Sequence, residues 1–316
     1  MNAAVVNIPG LAPKFQTFND PIAQEGEVSL RVLAAGLHPI VKARAAGSHY
    51  SSSAAGPAIP GIDGVGVTPD GRRVYFVFVR APWGTMAERA VAPSATCIPI
   101  PDGLDDATAA AIANPGMSAW VTLKHRAALA SGETVLIMGA TGVAGQIAIQ
   151  TARHLGAKRI IAAGRNVEAL ASAGVDAIVP LAQSDDAIRD ALTAEAASGI
   201  DVVVDYLWGH PTELLLDALA KGFSAKSTRR TRLVEVGESA GKTITLPGDI
   251  LRSIDLTLMG SGFGANSLEI ILASIPTLFA LAAAKTLTID VDTVPLAQIE
   301  ETWNRSEKGR RIVFTP

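Results

Sequence analysis

The sequence predicts an α/β protein in which a doubly wound parallel sheet is joined to a second, β-rich domain. Short strands alternate with helices from Glu133 to about Gly264, strands dominate residues 1 to about 100, and a mixed segment closes the chain. Strands that alternate with helices in this way form parallel sheets. The 316 residues are enough for two domains. We place the β-rich domain at 1–112, the parallel-sheet domain at 113–265, and a C-terminal return to the first domain at 266–316.

In the β-rich domain, Pro and Gly clusters separate short apolar or β-branched runs. Such runs predict strands at residues 3–7, 28–34, 74–78 and 86–91. Residues 39–46 have the pattern of a short helix. A helix is also expected from Asp105 to Ala113, where Asn114-Pro115-Gly116 would end it, and another from Ser118 to Leu129.

The parallel-sheet domain follows as strands at 134–138, 159–163, 177–179, 201–206, 232–236 and 255–259. The helices between them are expected at 142–155, 167–173, 185–197 and 211–220. After these come a helix, a strand at 287–291, a helix at 295–303 and a last strand at 311–314. The sixth strand of the parallel sheet is apolar and would lie at the sheet's edge, where an unpaired strand favours association with a second copy. We therefore expect a homodimer.

Composition and charge exclude several classes of function. A net charge of −3 gives no broad field for nucleic acid or an anionic membrane. Cys97 is the single cysteine, so neither a disulfide framework nor a four-cysteine zinc lobe is possible. The apolar stretch 268–284 contains Glu269 and Pro276 and is shorter than the ~20 residues needed to span a bilayer. With no signal-peptide pattern at residues 1–10, we expect a cytoplasmic protein.

Residues 134–157 (TVLIMGATGVAGQIAIQTARHLGA) carry the most informative motif. A buried strand stops at Gly139, a glycine turn follows, and an apolar helix begins near Gly142. This context is typical of a Rossmann domain, in which Gly142 would let the backbone approach a pyrophosphate and Gly145 would let the helix pack closely on the strand. Ala140 stands where the usual G-x-G-x-x-G motif has its first glycine. We predict a dinucleotide site; a glycine-rich turn without a ligand is the alternative.

The end of the next strand indicates which dinucleotide binds. It lies about 20 residues beyond the loop, where an NAD enzyme places Asp or Glu on the ribose 2′-hydroxyl. This sequence has Arg165 there, followed by Asn166. A guanidinium holds a 2′-phosphate in a fork, whereas a carboxylate would repel it. The prediction is NADPH rather than NADH, the alternative being a solvated surface arginine.

Five segments spread over the chain resemble those of a known family. They are GLHPIVKARAAG at 36–47, PGIDGVG at 60–66, GTMAERAVAP at 84–93, PDGLDDATAAAIANPGMSAW at 101–120 and GRRIVFTP at 309–316. Together they resemble the medium-chain dehydrogenase/reductase superfamily and, within it, the zinc-free quinone oxidoreductase-like branch. The resemblance implies a GroES-like catalytic domain beside the Rossmann domain, and hydride transfer to a quinone or an α,β-unsaturated carbonyl.

The same resemblance implies a site without zinc. Zinc-dependent relatives need a cysteine in the first segment and Gly-His-Glu in the second, where this chain has His38 and Gly61-Ile62-Asp63. No other group of residues has metal-ligand spacing. His38 also replaces the asparagine that in the branch lies near the nicotinamide, and Val41 replaces an aspartate.

Two residues are candidates for the chemistry. Relatives that reduce enoyl thioesters use a tyrosine just after the Arg-x-Gly of the first segment, and Tyr50 is the match here. Its hydroxyl would polarise a carbonyl oxygen or protonate the carbon after hydride arrives, unless Tyr50 only covers a cleft. His38 would orient the carbonyl or contact the ribose; a structural role is the alternative.

The resemblance also implies cofactor contacts at the carboxyl ends of the strands, where ligands bind in such sheets. Besides Arg165 and Asn166, the matching residues are Ser118, Thr141, Gly142, Val143, Ala144, Leu207, Trp208, Val236, Gly237, Ser261, Gly262, Phe263 and Arg311. Trp208 would either narrow the acceptor site or fill the cleft.

Three functions are therefore open. The first is an NADPH-dependent quinone or enone reductase acting on a small molecule. The second is an enoyl-thioester reductase, and the third a non-catalytic NADPH-binding sensor or structural protein, which the residues at His38 and Val41 keep open. The basic run KGFSAKSTRRTR at 221–232 has no interleaved aromatic residues. It therefore indicates a solvated loop rather than a nucleic-acid site.

Overall fold

The computed structural model describes residues 1–52, 56–221, 230–306 and 309–316. The chain divides into two compact units. Unit 1 consists of Met1–Asn114 and Ile275–Pro316, and unit 2 of Pro115–Ser274. The boundaries thus fall at 114 and 274, where the sequence placed them at 112 and 265.

The strands are numbered along the chain. They are β1 (Asn2–Val5), β2 (Lys14–Thr17), β3 (Glu27–Gly36), β4 (Asp63–Val67), β5 (Arg73–Val77), β6 (Arg89–Pro93), β7 (Cys97–Pro99), β8 (Thr134–Met138), β9 (Arg159–Gly164), β10 (Ala177–Pro180), β11 (Val202–Asp205), β12 (Thr231–Glu235), β13 (Leu256–Gly260), β14 (Val291–Pro295) and β15 (Arg311–Thr315).

The α-helices are numbered in the same way. They are α1 (Pro39–Ala45), α2 (Asp106–Trp120), α3 (Val143–His154), α4 (Val167–Ala171), α5 (Asp185–Ser198), α6 (Gly209–Lys221), α7 (Ile250–Ser253), α8 (Leu268–Ala283) and α9 (Ile299–Thr302). Among the described residues, no helix is long and apolar enough to cross a membrane.

Unit 2 is built on a parallel sheet with the strand order β10-β9-β8-β11-β12-β13. Strands β8 and β11 are buried along their whole length, which is why they are continuous apolar runs rather than alternating ones. The predicted doubly wound sheet is confirmed. Its strand order reverses between β8 and β11, and ligands of such sheets bind outside the carboxyl ends of the strands at this point.

Unit 1 contains the predicted β-rich domain. Its main sheet has the order β14-β15-β3-β4-β5-β7, and β6 also pairs with β3. Val313 of β15 lies opposite Gly36 of β3 in an antiparallel pair, so the C-terminal segment completes this sheet. Strands β2 and β4 lie in stretches where the sequence predicted no strand.

Helix α2 corrects one prediction. It continues through Asn114-Pro115-Gly116, with Pro115 inside it, and is followed by wider π-helical turns over Val121–Arg126. A proline inside a helix removes a backbone hydrogen bond and costs about 3 kcal/mol or more. Residues 109–113 just before it are fully buried, and this packing outweighs the cost.

The C-terminal segment corrects a second prediction. The strand expected at 287–291 is β14, four residues later, and Leu287 is instead a buried side chain before it. The helix expected at 295–303 is a 3₁₀ turn over Leu296–Gln298 followed by the short α9. Apolar residues at these positions are buried, but the turns that join them were not readable from the pattern.

Candidate active site

The glycine turn after β8 joins the strand directly to helix α3. Gly139 has a φ of +85°, a left-handed conformation that favours glycine. The N–H groups of Gly139 and Ala140 both donate to the carbonyl of Ala163 in β9, each at 2.9 Å. The turn is therefore fixed to the neighbouring strand at the point where the strand order reverses.

The two other glycines of the turn have different roles. A Cβ at Gly145 would lie 2.4 Å from the Gly139 carbonyl oxygen, so only glycine allows α3 to pack on the turn. A Cβ at Gly142 would meet only that same oxygen, at 3.5 Å, and Gly142 is exposed. The open space at Gly142 is where a ligand can approach the backbone.

The N-terminus of α3 is suited to an anion. Its N-cap, Gly142, provides no side-chain hydrogen bond, and its first turn has no acidic residue. The N–H groups of this turn and the helix dipole therefore favour a negative group. Thr141, Val143 and Ala144 lie in the same turn, so the four loop residues that the sequence predicted as cofactor contacts are together. A pyrophosphate fits this arrangement.

Arg165 and Asn166 follow β9 and are both exposed. Among the residues that the structure describes, none forms an ion pair with Arg165. Asn166 is the N-cap of α4, and its Oδ1 accepts a hydrogen bond from the Ala169 N–H at 3.1 Å. Arg165 thus has the exposure that a 2′-phosphate contact needs, while the oxygen of Asn166 already has a partner.

Asp205 organises the turn after β11. Its Oδ1 accepts hydrogen bonds from the N–H groups of Leu207 and Trp208 at 2.8 and 3.0 Å, and its Oδ2 accepts one from the Thr212 hydroxyl at 2.5 Å. Burial raises the pKa of Asp205, and these hydrogen bonds oppose that effect. Trp208 has a φ of +54°, a costly conformation for a bulky residue, which the two hydrogen bonds to Asp205 help to hold.

Tyr206 lies next to Asp205, and its hydroxyl is buried. Burial raises the pKa of Tyr206, and the Ser118 hydroxyl lowers it by a smaller amount. Ser118, predicted from the family resemblance, thus lies at the carboxyl end of β11. The sequence analysis missed Asp205 and Tyr206; the acidic residue that ends the apolar run VVVD was the available signal.

The predicted residues after β12 and β13 lie at the same end of the sheet. The N–H groups of Val236 and Gly237 donate to the Asp205 carbonyl at 2.8 and 3.2 Å. Ser261 accepts a hydrogen bond from the Thr122 hydroxyl at 2.9 Å. Gly262 and Phe263 are exposed.

A cavity of about 380 Å³ lies beside these strand ends in unit 2. Its lining includes Trp208, Glu235 and Met259. Burial raises the pKa of Glu235, and the charges of Asp205 and Glu238 raise it further. The cavity is therefore bordered by a carboxyl group that protonates more readily than a solvated glutamate.

The predicted catalytic residues lie in unit 1. His38 is fully buried at the start of α1, and its Nε2 is 3.3 Å from Oδ1 of Asp63. Tyr50 is 76% exposed and stacks on His49, with ring centroids 4.1 Å apart. The two predicted catalytic residues thus differ in exposure: His38 is buried, whereas Tyr50 lies on the surface.

Arg311 is buried in unit 1, although the resemblance implied a cofactor contact. Its side chain is 2% exposed, and its guanidinium donates to the Leu37 carbonyl at 2.9 Å. This placement favours a structural role between β15 and the end of β3.

Two further predictions concern metal ions and the basic run. No group of three or more metal-binding side chains occurs among the described residues. Within the basic run, residues 222–229 lie outside the described part of the chain. Of the rest, Arg232 is half-buried, and its guanidinium pairs with Glu133 at 2.5 Å.

Known proteins resemble the chain over most of its length, although no family model matches it. A protein named probable NADPH-dependent quinone reductase, from Emericella nidulans, is 26% identical over 92% of both chains. The quinone oxidoreductase of Thermus thermophilus, whose structures include a complex with NADPH, is 27% identical over 100% of both chains with a TM-score of 0.80. A phenolphthiocerol/phthiocerol polyketide synthase from Mycobacterium tuberculosis is 31% identical over 63% of this chain but only 9% of its own length.

A β-rich unit completed by the C-terminal strand, together with a Rossmann unit that has this glycine turn, defines a medium-chain dehydrogenase/reductase. The chain has the fold of this superfamily, as its sequence predicted, and is similar over most of its length to quinone reductases. It is a quinone oxidoreductase-like protein, and thus an oxidoreductase.

Proposed function

We propose that the protein is an NADPH-dependent, zinc-independent reductase of quinones or α,β-unsaturated carbonyls. The observation that carries the proposal is the glycine turn followed, at the end of β9, by the exposed Arg165. The turn has backbone N–H groups and open space for a pyrophosphate, and Arg165 supplies the charge that a 2′-phosphate requires. The names of the relatives from Emericella nidulans and Thermus thermophilus support the same cofactor.

The residues of the chain bind and orient, while bound NADPH supplies the hydride. The α3 N-terminus holds the pyrophosphate, with Thr141, Val143 and Ala144 around Gly142. The residues that follow β11, β12 and β13 would hold the rest of the cofactor. Such a reaction needs an oriented acceptor, exclusion of water and at most one proton donor. Tyr50 and His38 remain the predicted candidates for assisting the acceptor.

A direct experiment measures both binding and turnover. NADPH and NADH are each titrated into the protein while the fluorescence of the reduced nicotinamide is followed. Loss of NADPH absorbance is then recorded with a panel of quinones, enones and enoyl thioesters. We expect tighter binding of NADPH than of NADH, and turnover with quinones or enones. Binding without turnover of any acceptor would instead favour a non-catalytic NADPH sensor.

Enoyl-thioester reduction is a second candidate. The identity to part of a polyketide synthase favours it, as does Tyr50, which lies just after the first family segment. In the same panel, an enoyl thioester with a higher kcat/KM than every quinone and simple enone would establish this function in place of the first.

The remaining proposals concern location, assembly and metal. We propose a cytoplasmic enzyme with a small-molecule substrate that forms a homodimer through β13. Prolonged chelation is expected to leave activity unchanged, because no zinc ligand set is expected in this branch. Activity that is lost on chelation and restored by zinc would contradict the zinc-independent assignment.

A further inference from the structure

Three neighbouring strands of unit 1 bring together a histidine, an aspartate and a tyrosine. His38 follows the end of β3 by two residues, Asp63 begins β4, and Tyr75 lies in β5. Asp63 pairs with Val77 of β5, two residues from Tyr75, so the Asp63 and Tyr75 side chains are diagonal neighbours on one face of the sheet. The topology therefore places the three side chains in a row.

The contacts within this row are polar and buried. The Tyr75 hydroxyl donates to Oδ2 of Asp63 at 2.8 Å, and Oδ1 of Asp63 lies 3.3 Å from Nε2 of His38. None of the three residues is more than 3% exposed. Among the described residues, Oδ1 of Asp63 and both ring nitrogens of His38 have no hydrogen-bond partner. A buried carboxylate oxygen needs a partner, and Nε2 of His38 lies 3.3 Å from it.

One aromatic contact and one electrostatic effect act on Tyr75, at the far end of the row. The Tyr75 ring packs edge-to-face on Phe279, with centroids 5.6 Å apart and an angle of 86°. Burial, together with the charge and the hydrogen bond of Asp63, raises the pKa of Tyr75 well above its usual value. Tyr75 therefore donates to Asp63, and the other carboxylate oxygen, 3.3 Å from Nε2 of His38, is the one that a proton on Nε2 would face.

Glycines make room for this arrangement. A Cβ at Gly36 would lie 2.5 Å from Nε2 of His38, so the ring occupies space that only glycine leaves open. Gly61, with a φ of +108°, would bring a Cβ within 2.2 Å of the Thr85 hydroxyl oxygen. Gly36 thus leaves room for the His38 ring, and Gly61 leaves room for the Thr85 side chain.

We propose that Asp63 and Tyr75 are positioning residues that hold the His38 ring with its proton on Nε2, facing Asp63. The effect of this arrangement on turnover rests on the proposed reductase function, whereas the ring position and proton do not. In this arrangement Tyr75 orients Asp63, and Asp63 in turn selects the tautomer of His38.

The first test is spectroscopic and needs no acceptor. Protein labelled with ¹⁵N-histidine is expected to show an imidazole N–H signal, correlated with Nε2, that exchanges slowly with water. His38→Asn should remove this signal, which assigns it. Asp63→Asn should abolish or strongly shift it, and Tyr75→Phe should shift it less. Asp176→Asn is the control, since Asp176 likewise accepts a hydrogen bond, from the Ile160 N–H, but lies in unit 2, and it should leave the signal unchanged.

The second test separates positioning from a purely structural role. Asp63→Asn should lower kcat by about 10- to 150-fold, the loss expected for a hydrogen bond to a charged group, with the KM for NADPH unchanged. In a His38→Asn background the same substitution should change kcat by no more than about twofold, because its effect acts through His38. A merely structural Asp63 would cost the same in both backgrounds.

The outcomes are distinguishable. A proton on Nδ1, or a signal that Asp63→Asn leaves in place, would overturn the proposal whatever the activity. If Asp63→Asn does not fold, Tyr75→Phe, which keeps the ring, decides through the same signal. If none of the acceptors in the panel lets the wild type oxidise NADPH, the reductase function fails. The Nε2 signal still decides whether Asp63 holds His38.

Discussion

At the scale of single residues, the proposed preference for NADPH over NADH depends on the charge that follows β9. Arg165 is exposed and has no ion pair with any described residue, so its guanidinium is available to an incoming phosphate. A fork of two parallel hydrogen bonds to a phosphate gives both affinity and a fixed geometry.

Arg165→Ala should therefore weaken NADPH binding by about 10- to 150-fold and leave NADH nearly unaffected. The contact is remote from the nicotinamide, so the loss should appear in the KM of the cofactor rather than in kcat. Fluorescence titration with both cofactors measures this. Arg252→Ala, which removes an exposed arginine from α7, is the control and should affect neither. If Arg165→Ala loses affinity for both cofactors equally, Arg165 is an ordinary surface residue and does not select NADPH.

A second prediction concerns the tight packing of α3 on the glycine turn. Gly145→Ala forces a Cβ to within 2.4 Å of the Gly139 oxygen, and the backbone atoms there cannot yield cheaply. Overpacking of this kind costs about 1–3 kcal/mol of the unfolding free energy, which urea denaturation would detect. In the control Gly248→Ala, the nearest atom is the flexible end of Arg252 at 3.6 Å, and stability should hold. Unchanged stability in Gly145→Ala would mean that α3 does not pack on the turn in this way.

The residues of the site were predictable to different degrees. The glycine turn and Arg165 belong to a local sequence pattern, and the spacing of that pattern predicts where each residue lies in the fold. Asp205 carries none: its importance comes from three hydrogen bonds to groups that follow it, two of which hold Trp208 in a left-handed conformation. His38 was noticed as a substitution, but its contact with Asp63 depends on the pairing of β3 with β4, which the sequence analysis did not include.

At the scale of elements, the sequence predicted best where burial is complete. Strand β8 has the predicted bounds because all five of its residues are buried and four of them are apolar. Helix α2 was mispredicted because the cost of Pro115 is local and visible, whereas the packing that offsets it is tertiary. Strand β4 was missed because its sequence, DGVGV, has two glycines where β-branched residues usually lie.

Helices α5 and α6 are joined at their N-termini by a histidine between two carboxylates. Nε2 of His210 lies 2.8 Å from Asp185, and its Nδ1 lies 3.3 Å from Glu213. The hydrogen bonds to Asp185 and Glu213, in that order, raise the pKa of His210 above its usual value of 6.5. A group whose pKa is raised on folding stabilises the folded state below its unfolded pKa, and this is lost as the pH rises through the folded pKa.

We therefore expect His210→Ala to cost the most stability below about pH 6.5 and progressively less above it. The difference should be small, because the side chain is largely exposed. Urea denaturation of both proteins across this pH range measures it, and NMR titration should give His210 a pKa that falls in Asp185→Asn. A His210 pKa below 6.5 would contradict the pairing.

At the scale of the whole molecule, β13 is the strand at one edge of the parallel sheet. Its five residues are half-buried, and among the described strands it pairs only with β12. Exposed edges of this kind invite pairing with another chain.

Light scattering at micromolar concentration should therefore give twice the mass of one chain. Thr257→Lys places a charge on the edge strand and should shift the protein towards the monomer, since edge charges oppose strand pairing. Thr243→Lys adds the same charge in a loop outside this strand and should remain a dimer. A wild-type monomer throughout this range would reject assembly through β13.

The pairing of β15 with β3 also has a consequence for the order of events on the ribosome. The hydrogen bond from Arg311 to the Leu37 carbonyl joins residues 274 positions apart. Unit 2 is continuous in sequence, so it is synthesised in full while the first sheet still lacks β14 and β15. During that interval the edge of β3 that will receive β15 is bare. Translation thus leaves Ala35 and Gly36 without their β15 partner until Val313 and Phe314 emerge, while the rest of β3 can already pair with β4 and β6.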